Sequence, residues 1–247
     1  ERFSVRGISL AEGVTVDKVN RREKLLKDLD TRLREFDTNS QLLEALDTFG
    51  QQAYSMITSK RTQKAFDVSL EPKSIHKLFA ADEVSQSLLL GTRLIESGCR
   101  FVTVTSQGWD THLDNFSGHK RLMPPVDAGY TAALTALREK GLLDRTLVVA
   151  MGEFGRTPKI NQNVGRDHYP RANWCMMAGG GVNPGQLIGA TDKKGEGPAD
   201  DTDIHPDDLG ASMFHALGID HHKEYYTRTG RPVSLIPNGR VMHDLFD

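Results

Sequence analysis

Thr146-Leu147-Val148-Val149-Ala150-Met151, followed at once by Gly152-Glu153-Phe154-Gly155-Arg156-Thr157-Pro158, is the stretch on which the fold turns. A short apolar, partly β-branched run ends in a polar loop. Such a run reads as a strand buried on both faces, the habit of parallel sheets covered by helices. Upstream, Cys99-Arg100-Phe101-Val102-Thr103-Val104-Thr105 reads the same way, and downstream so do Ala172–Ala178 and the shorter Gln186–Thr191. Helices are expected between them. Val84–Ser97 ends at Gly98, Pro125–Lys140 has Pro125 in its first turn and Gly141 at its end, and Pro206–Leu217 has Pro206 and Gly218 in the same roles. The alternation predicts an α/β fold, a largely parallel sheet flanked by helices.

The N-terminal part reads differently. Glu1–Gly13 is extended and polar. Val16–Phe36 carries Val19, Leu25, Leu26, Leu29 and Leu33 mostly at helical spacing, and Asn39–Ser59 carries Leu42, Leu43, Leu46, Phe49, Tyr54 and Ile57. Short helical pieces follow near Ser74–Ala80. The expected organisation is a helical accessory segment, residues 1–82, packed on an α/β core, residues 83–247.

At 247 residues and 38% hydrophobic, the chain can build a core without disulfide staples. Cys99 and Cys175 lie in apolar runs, so they read as buried thiols, or as a bridged pair if their strands are neighbours. A net charge of -2 argues against a nucleic-acid surface. No apolar run approaches the roughly 18 residues of a membrane span.

In open α/β sheets ligands bind beyond the carboxyl ends of strands. Three polar clusters are expected there: Gly108–Asn115, Gly152–Pro158 and Gly165–Pro170. Asp110 and His112, two residues apart, point to the same side of an extended chain, as two ligands must. Glu153 sits at a strand end, while Asp167 and His168 are adjacent and need a bent loop to converge. Carboxylates mixed with imidazoles suit zinc, manganese or iron. Hydrogen bonding within the fold is the competing reading for each motif. Arg156 and Arg166 read either as oxyanion binders or as partners of Glu153 and Asp167. His119 reads either as a member of the site or as a surface residue, His221-His222 as an exposed turn, His205 as part of an acidic loop ahead of a helix, and His215 as a core histidine. Asp200, Asp201 and Asp203 lack the ordered spacing of a calcium loop. Neither a Gly-x-Ser-x-Gly elbow nor a phosphate-cradling Gly-x-x-x-x-Gly-Lys loop is present.

Taken in order, Gly108-Trp109-Asp110-Thr111-His112, Met151–Pro158, Gly165-Arg166-Asp167-His168-Tyr169-Pro170, Ala178-Gly179-Gly180-Gly181, Gly189-Ala190-Thr191-Asp192, His215–Asp220 and Gly230-Arg231-Pro232 resemble the run of motifs in the domain-of-unknown-function 1501 family. That family is grouped with alkaline phosphatases, sulfatases and metal-dependent phosphoglycerate mutases. The resemblance implies an alkaline phosphatase-like fold and an exported protein, periplasmic or on the cell surface. It implies a divalent metal (zinc, manganese or calcium), with Asp110, His112 and His168 at positions like the superfamily's ligands. Together with the reading of the polar clusters this gives Asp110, His112, Glu153, Asp167 and His168 as expected metal ligands and Arg156 and Arg166 as expected anion binders. The implied activity is metal-dependent hydrolysis of a small-molecule or polysaccharide phosphate or sulfate ester. Where the superfamily has an Asp-His metal pair, this chain has Glu153-Phe154, and Phe154 cannot ligate. The nucleophile is expected from an N-terminal portion that this chain lacks, so the chain is expected to be incomplete as a hydrolase and to show little or no turnover by itself. A non-catalytic binding or surface-assembly protein that keeps the fold is the alternative.

Overall fold

The computed structural model describes residues 13–33, 40–199 and 203–246. The expected extended segment Glu1–Gly13 lies almost wholly outside the described residues, and Asp200 and Asp201 lie outside them too. So do the side chains of Leu26, Leu29, Leu33, Leu42, Leu43, Leu46 and Ile57. The chain divides into two compact units, Glu1–Lys77 with Leu89–Thr103, and Leu78–Leu88 with Val104–Asp247.

The first unit is helical. It contains α1 (Val16–Leu33), α2 (Ser40–Thr58), α3 (Lys60–Phe66), α4 (Lys73–His76) and the second half of α5 (Glu83–Glu96). Tyr54 on α2 donates its hydroxyl hydrogen to Asn20 on α1. Ser59 caps α3 by accepting from the Thr62 backbone N–H at 3.3 Å, which satisfies a donor the helix start leaves over. Arg93 on α5 ties two segments together. Its guanidinium donates to the buried Glu71 carboxylate at 2.6 Å and to the Lys64 carbonyl at 2.6 Å. Ala65, Val68, Ile75, Leu89 and Leu90 are buried. Leu25 and Phe49, expected on buried stripes, are 60% and 68% exposed.

The second unit holds the first half of α5, then α6 (Asn115–Glu139), β1 (Val148–Met151), β2 (Gly155–Arg156), β3 (His168–Tyr169), β4 (Cys175–Ala178), α7 (Pro206–Ala216), β5 (Glu224–Tyr226) and β6 (Pro232–Ser234). Helix α6 presents Ala132, Ala133, Ala136 and Leu137 to the interior. It comes close to α5 at Gly129, where a Cβ would stand 2.9 Å from Leu88 Cδ1. Helices α5, α6 and α7 all stop where a glycine was expected. Gly98, Gly141 and Gly218 have positive φ, and the residue after each donates back across the last turn, as in Cys99 N–H to Leu94 O at 2.9 Å.

The largely parallel sheet is not what the chain forms. The described strands make three two-stranded antiparallel pairs, β1 with β4, β2 with β3 and β5 with β6. An apolar run announces an extended segment but fixes neither its partner nor its direction, because pairing is non-local. Cys99–Thr105 joins no ladder, and Gln186–Thr191 supplies only the bridge from Thr191 to Pro198. Met151 and Met176 are 51% and 44% exposed, so β1 and β4 are not buried on both faces. Both cysteines are free and exposed rather than buried or bridged. Helix α6 begins ten residues before Pro125 and contains both Pro124 and Pro125. Their missing N–H groups leave the Lys120 and Arg121 carbonyls without the usual helical donor. Among the described residues, no helix is long and apolar enough to cross a membrane.

Candidate metal centre

Two irregular segments of the second unit build the site. The first is the turn before α6. Thr111 and Asn115 share a buried hydrogen bond, Thr111 Oγ1 donating to Asn115 Oδ1 at 2.8 Å, which fixes the turn against the helix start. Trp109 Nε1 donates to Ser106 Oγ at 3.0 Å, and its ring meets His119 edge-on at 5.5 Å. The side chains of Asp110 and His112 project from the turn so anchored.

The second segment runs from β2 to β3. Their antiparallel register sets Arg156 opposite His168. The connecting loop folds around Asn161, whose amide works at both ends. Its Oδ1 accepts the N–H groups of Asn163 and Gly165, each at 2.9 Å, and its Nδ2 donates to the His112 carbonyl and to Asp167 Oδ1, each at 3.1 Å. Gly165 must be a glycine for the two segments to meet. A Cβ there would stand 1.8 Å from the His112 carbonyl oxygen. Its neighbour Val164 is held at φ 58, a conformation that costs a β-branched residue about 1–3 kcal/mol. The Asn115 N–H donates to the Val164 carbonyl at 3.0 Å, so that strained turn also grips α6.

Three ligand atoms converge. Asp110 Oδ1 is 3.0 Å from His112 Nε2 and 3.0 Å from His168 Nε2, and the two Nε2 atoms are 3.2 Å apart. Donors about 2.0–2.1 Å from a zinc ion lie roughly 2.9–3.4 Å from one another, so these separations match a ligand set. On its far edge His112 Nδ1 donates to Asp167 Oδ1 at 2.7 Å, because a carboxylate can only accept. That bond turns the His112 Nε2 lone pair toward Asp110 and His168, the carboxylate–histidine arrangement that orients metal ligands. A lone pair 3.0 Å from a carboxylate oxygen is repelled unless a cation or a proton lies between them. Side-chain exposures of 63%, 42% and 51% for Asp110, His112 and His168 leave the cluster open to solvent.

Charge follows from these contacts. Hydrogen bonds from His168 and then from the Arg156 guanidinium hold the Asp110 carboxyl down at about 2. Those from His112 and then Asn161 lower Asp167. Arg156 Nη1 reaches Asp110 Oδ1 at 2.7 Å and Nη2 reaches Glu153 Oε1 at 3.5 Å, with the Phe154 ring 5.5 Å from its carbon centre. Phe154 also packs on His168, ring centres 4.5 Å apart.

The expected ligands therefore separate by position. Asp110, His112 and His168 form the one group placed to hold an ion among the described residues. Asp167 stands behind His112 rather than in that group, and Glu153 touches it through Arg156. Of the two candidate anion binders, Arg156 is bound to carboxylates. Arg166 spends its guanidinium on the Thr157 and Pro158 carbonyls, at 2.5 and 2.7 Å. Sequence reasoning missed Asn161. The turn-prone run Asn161-Gln162-Asn163-Val164-Gly165 was the available signal.

Fold and site together define a helix-rich protein with short antiparallel ribbons and an exposed two-histidine, one-carboxylate constellation. The chain belongs to the family described as "Protein of unknown function (DUF1501)", which matches residues 1–246. No curated protein and no solved structure matches the chain.

Proposed function

We propose that this protein is a metal-dependent hydrolase of phosphate or sulfate esters, working with one divalent ion held by Asp110, His112 and His168. The observation that carries the proposal is the approach of three potential ligand atoms, Asp110 Oδ1, His112 Nε2 and His168 Nε2, to within 3.0–3.2 Å of one another, with His112 aimed by Asp167; the ion would take the place of the proton that His168 Nε2 shares with Asp110 in the metal-free site. Two imidazoles and one carboxylate suit zinc or manganese. Calcium, which prefers six to eight oxygens, suits them poorly. An ion with three protein ligands would keep open positions, where it would polarise an ester oxygen and lower the pKa of a bound water to about 7, so that this water, rather than a side chain from outside this chain, would be the nucleophile. The residues around it have separate tasks. Asp167 keeps the His112 ring in one tautomer, Arg156 positions the Asp110 carboxylate, and Phe154 shields one face of His168. With Phe154 at that place and Asp167 engaged by His112, the site takes a single ion rather than two. Kinship with alkaline phosphatases and sulfatases, and an exported location, are parts of this proposal that rest on the order of sequence motifs. They concern the chemistry and address of the protein, not its sheet.

Metal analysis tests the reading, combined with hydrolysis of p-nitrophenyl phosphate and p-nitrophenyl sulfate. The expected result is about one zinc or manganese per chain, by the single ligand set, and turnover that His168→Ala abolishes together with the metal. Stoichiometric metal without turnover would favour the non-catalytic binding role. Failure to bind either metal would overturn the proposal and leave His112 as an imidazolium bridging Asp110 and Asp167.

A further inference from the structure

We propose that Arg121 is the anion-recognising residue of this site, and that the cavity it shares with Asp110 and His112 receives the tetrahedral oxyanion of the substrate. The inference rests on the metal reading above and names what sits beside the ion. A cavity of about 530 Å³ opens next to the ligand cluster, lined by Asp110, His112, Asp114, Ser117, Gly118 and Arg121 among others. That volume lies in the range of small-molecule sites, roughly 300–1,000 Å³. It suits an ester group with a modest substituent.

Arg121 differs from the two arginines flanking the motifs. Arg156 is bound to Asp110 and Glu153, and Arg166 to two carbonyls. The Arg121 guanidinium has no hydrogen bond or ion pair among the described residues. A guanidinium is a planar fork of five donors that fits phosphate or sulfate oxygens in pairs, and this one is unspent. Its place is fixed by packing rather than by chance. Ser117 and Arg121 are four residues apart on α6 and share a face. Gly118, between them, brings that face onto the ligand-bearing turn, where a Cβ would stand 2.8 Å from Thr111 Cγ2. The buried Thr111–Asn115 bond locks the turn to the same helix end. Ser117 donates its hydroxyl hydrogen to Asp114 Oδ1 at 2.9 Å, and Asp114 makes no ion pair with Arg121 although both line the cavity.

Charge makes the binding conditional. Asp110, Asp114, Asp167 and Glu153 outweigh Arg121 and Arg156 around the cavity, so a metal-free site repels an anion. A divalent cation removes that excess, and Arg121, which lines the same cavity as Asp110 and His112, is then available to an oxyanion bound there. Binding of the anion must therefore follow binding of the metal, and substitution of Arg121 must affect the first and spare the second.

The experiment is calorimetric titration of the full chain, first with zinc and manganese, then of the metal-loaded protein with inorganic phosphate and, separately, with sulfate. The expected result is binding of at least one of these anions to the loaded protein and none to the metal-free protein. Arg121→Ala should weaken that binding roughly 10–100-fold, the loss of a charge-assisted hydrogen-bonded fork, with metal affinity unchanged. Arg121→Lys, which keeps the charge and loses the fork, should fall between. Equal anion affinity in wild type and Arg121→Ala would overturn the inference while the metal reading stood. Failure of the loaded wild type to bind either anion would overturn it as well. If the wild type takes up no metal, both readings fall, and the first titration alone shows which failure occurred.

Discussion

Two regions of the second unit are about equally rich in histidine and aspartate, yet they spend those residues in different ways. Around α7, His205, Asp207, Asp208, His221 and Arg240 are bound chiefly to backbone. His205 Nδ1 accepts the Asp207 N–H at 3.2 Å, while Asp208 accepts the N–H groups of His205 at 3.1 Å and Arg240 at 2.7 Å. His221 Nε2 donates to the Gly239 carbonyl at 3.1 Å. Asp208 is 4% exposed and closes a capping box. In the loops beside α6 the backbone leaves side-chain lone pairs over, and they turn toward one another. Residue type makes a metal centre conceivable. What distinguishes the centre is the count of acceptors still unspent after caps and turns have taken theirs.

The sharpest way to break the comparison is to remove a lone pair on each side. His112→Ala or His168→Ala should weaken zinc binding by more than about 100-fold, beyond the 10–100-fold typical of outer-shell changes. His205→Ala and His221→Ala should leave zinc binding unchanged. Calorimetry on the four variants checks this, and a zinc affinity that follows His205 or His221 would dissolve the distinction.

Asp167→Asn is the next step down. The amide keeps the shape but can present its NH₂ to His112 Nδ1 and favour the wrong tautomer. Zinc affinity should fall about 10–100-fold with the stoichiometry retained. An unchanged affinity would show that Asp167 merely neighbours the ligand set. Asp208→Ala tests the other region. It removes a buried carboxylate that satisfies two backbone donors, so unfolding stability should drop by about 2–3 kcal/mol with no effect on metal affinity. Chemical denaturation of the metal-free protein is the measurement.

The same contrast explains what the sequence made legible. The helices near 84–97 and 206–217 were readable because their stop signals are local, a glycine at each end closing the last turn over its own carbonyls. The start of α6 was not. Asn115 is fastened by Thr111 within the turn and by Val164 from a loop some fifty residues away, a long-range contact that Pro125 outweighed in the sequence. The parallel sheet was misread for the same reason. Val148–Met151 and Cys175–Ala178 are extended as expected, but their antiparallel register depends on which strand arrives beside which. Asp110 and His112 could be paired from their spacing. That His168 joins them while its neighbour Asp167 stands behind His112 depends on the β2–β3 register and on Asn161. Arg121 had no motif to mark it, being one more basic residue in a helix.

The smallest effect expected is a titration. Asp110 and Asp208 both have lowered pKa values, for different reasons. At Asp208 burial pushes the carboxyl up, and the Arg240 N–H and guanidinium and the His205 N–H more than offset it. At the exposed Asp110 the His168 bond and the Arg156 guanidinium bring it to about 2. A carboxyl whose folded pKa lies below its unfolded value of about 3.9 contributes stability above that pH and loses it as pH falls through the folded pKa. For Asp110 the window is therefore about pH 4 down to about 2. Because the group is exposed, solvent screens the contribution, and the loss should be confined to the loops that hold the site. Carboxyl carbon NMR of the metal-free protein should show Asp110 titrating near 2, and in His168→Ala the midpoint should move up toward 3.8. Protonation of Asp208 should instead coincide with loss of α7 signals, since its carboxylate caps that helix. An Asp110 midpoint near 4 in the metal-free wild type would mean that His168 and Arg156 do not hold the carboxylate without an ion, and that the ligand set assembles only on binding one.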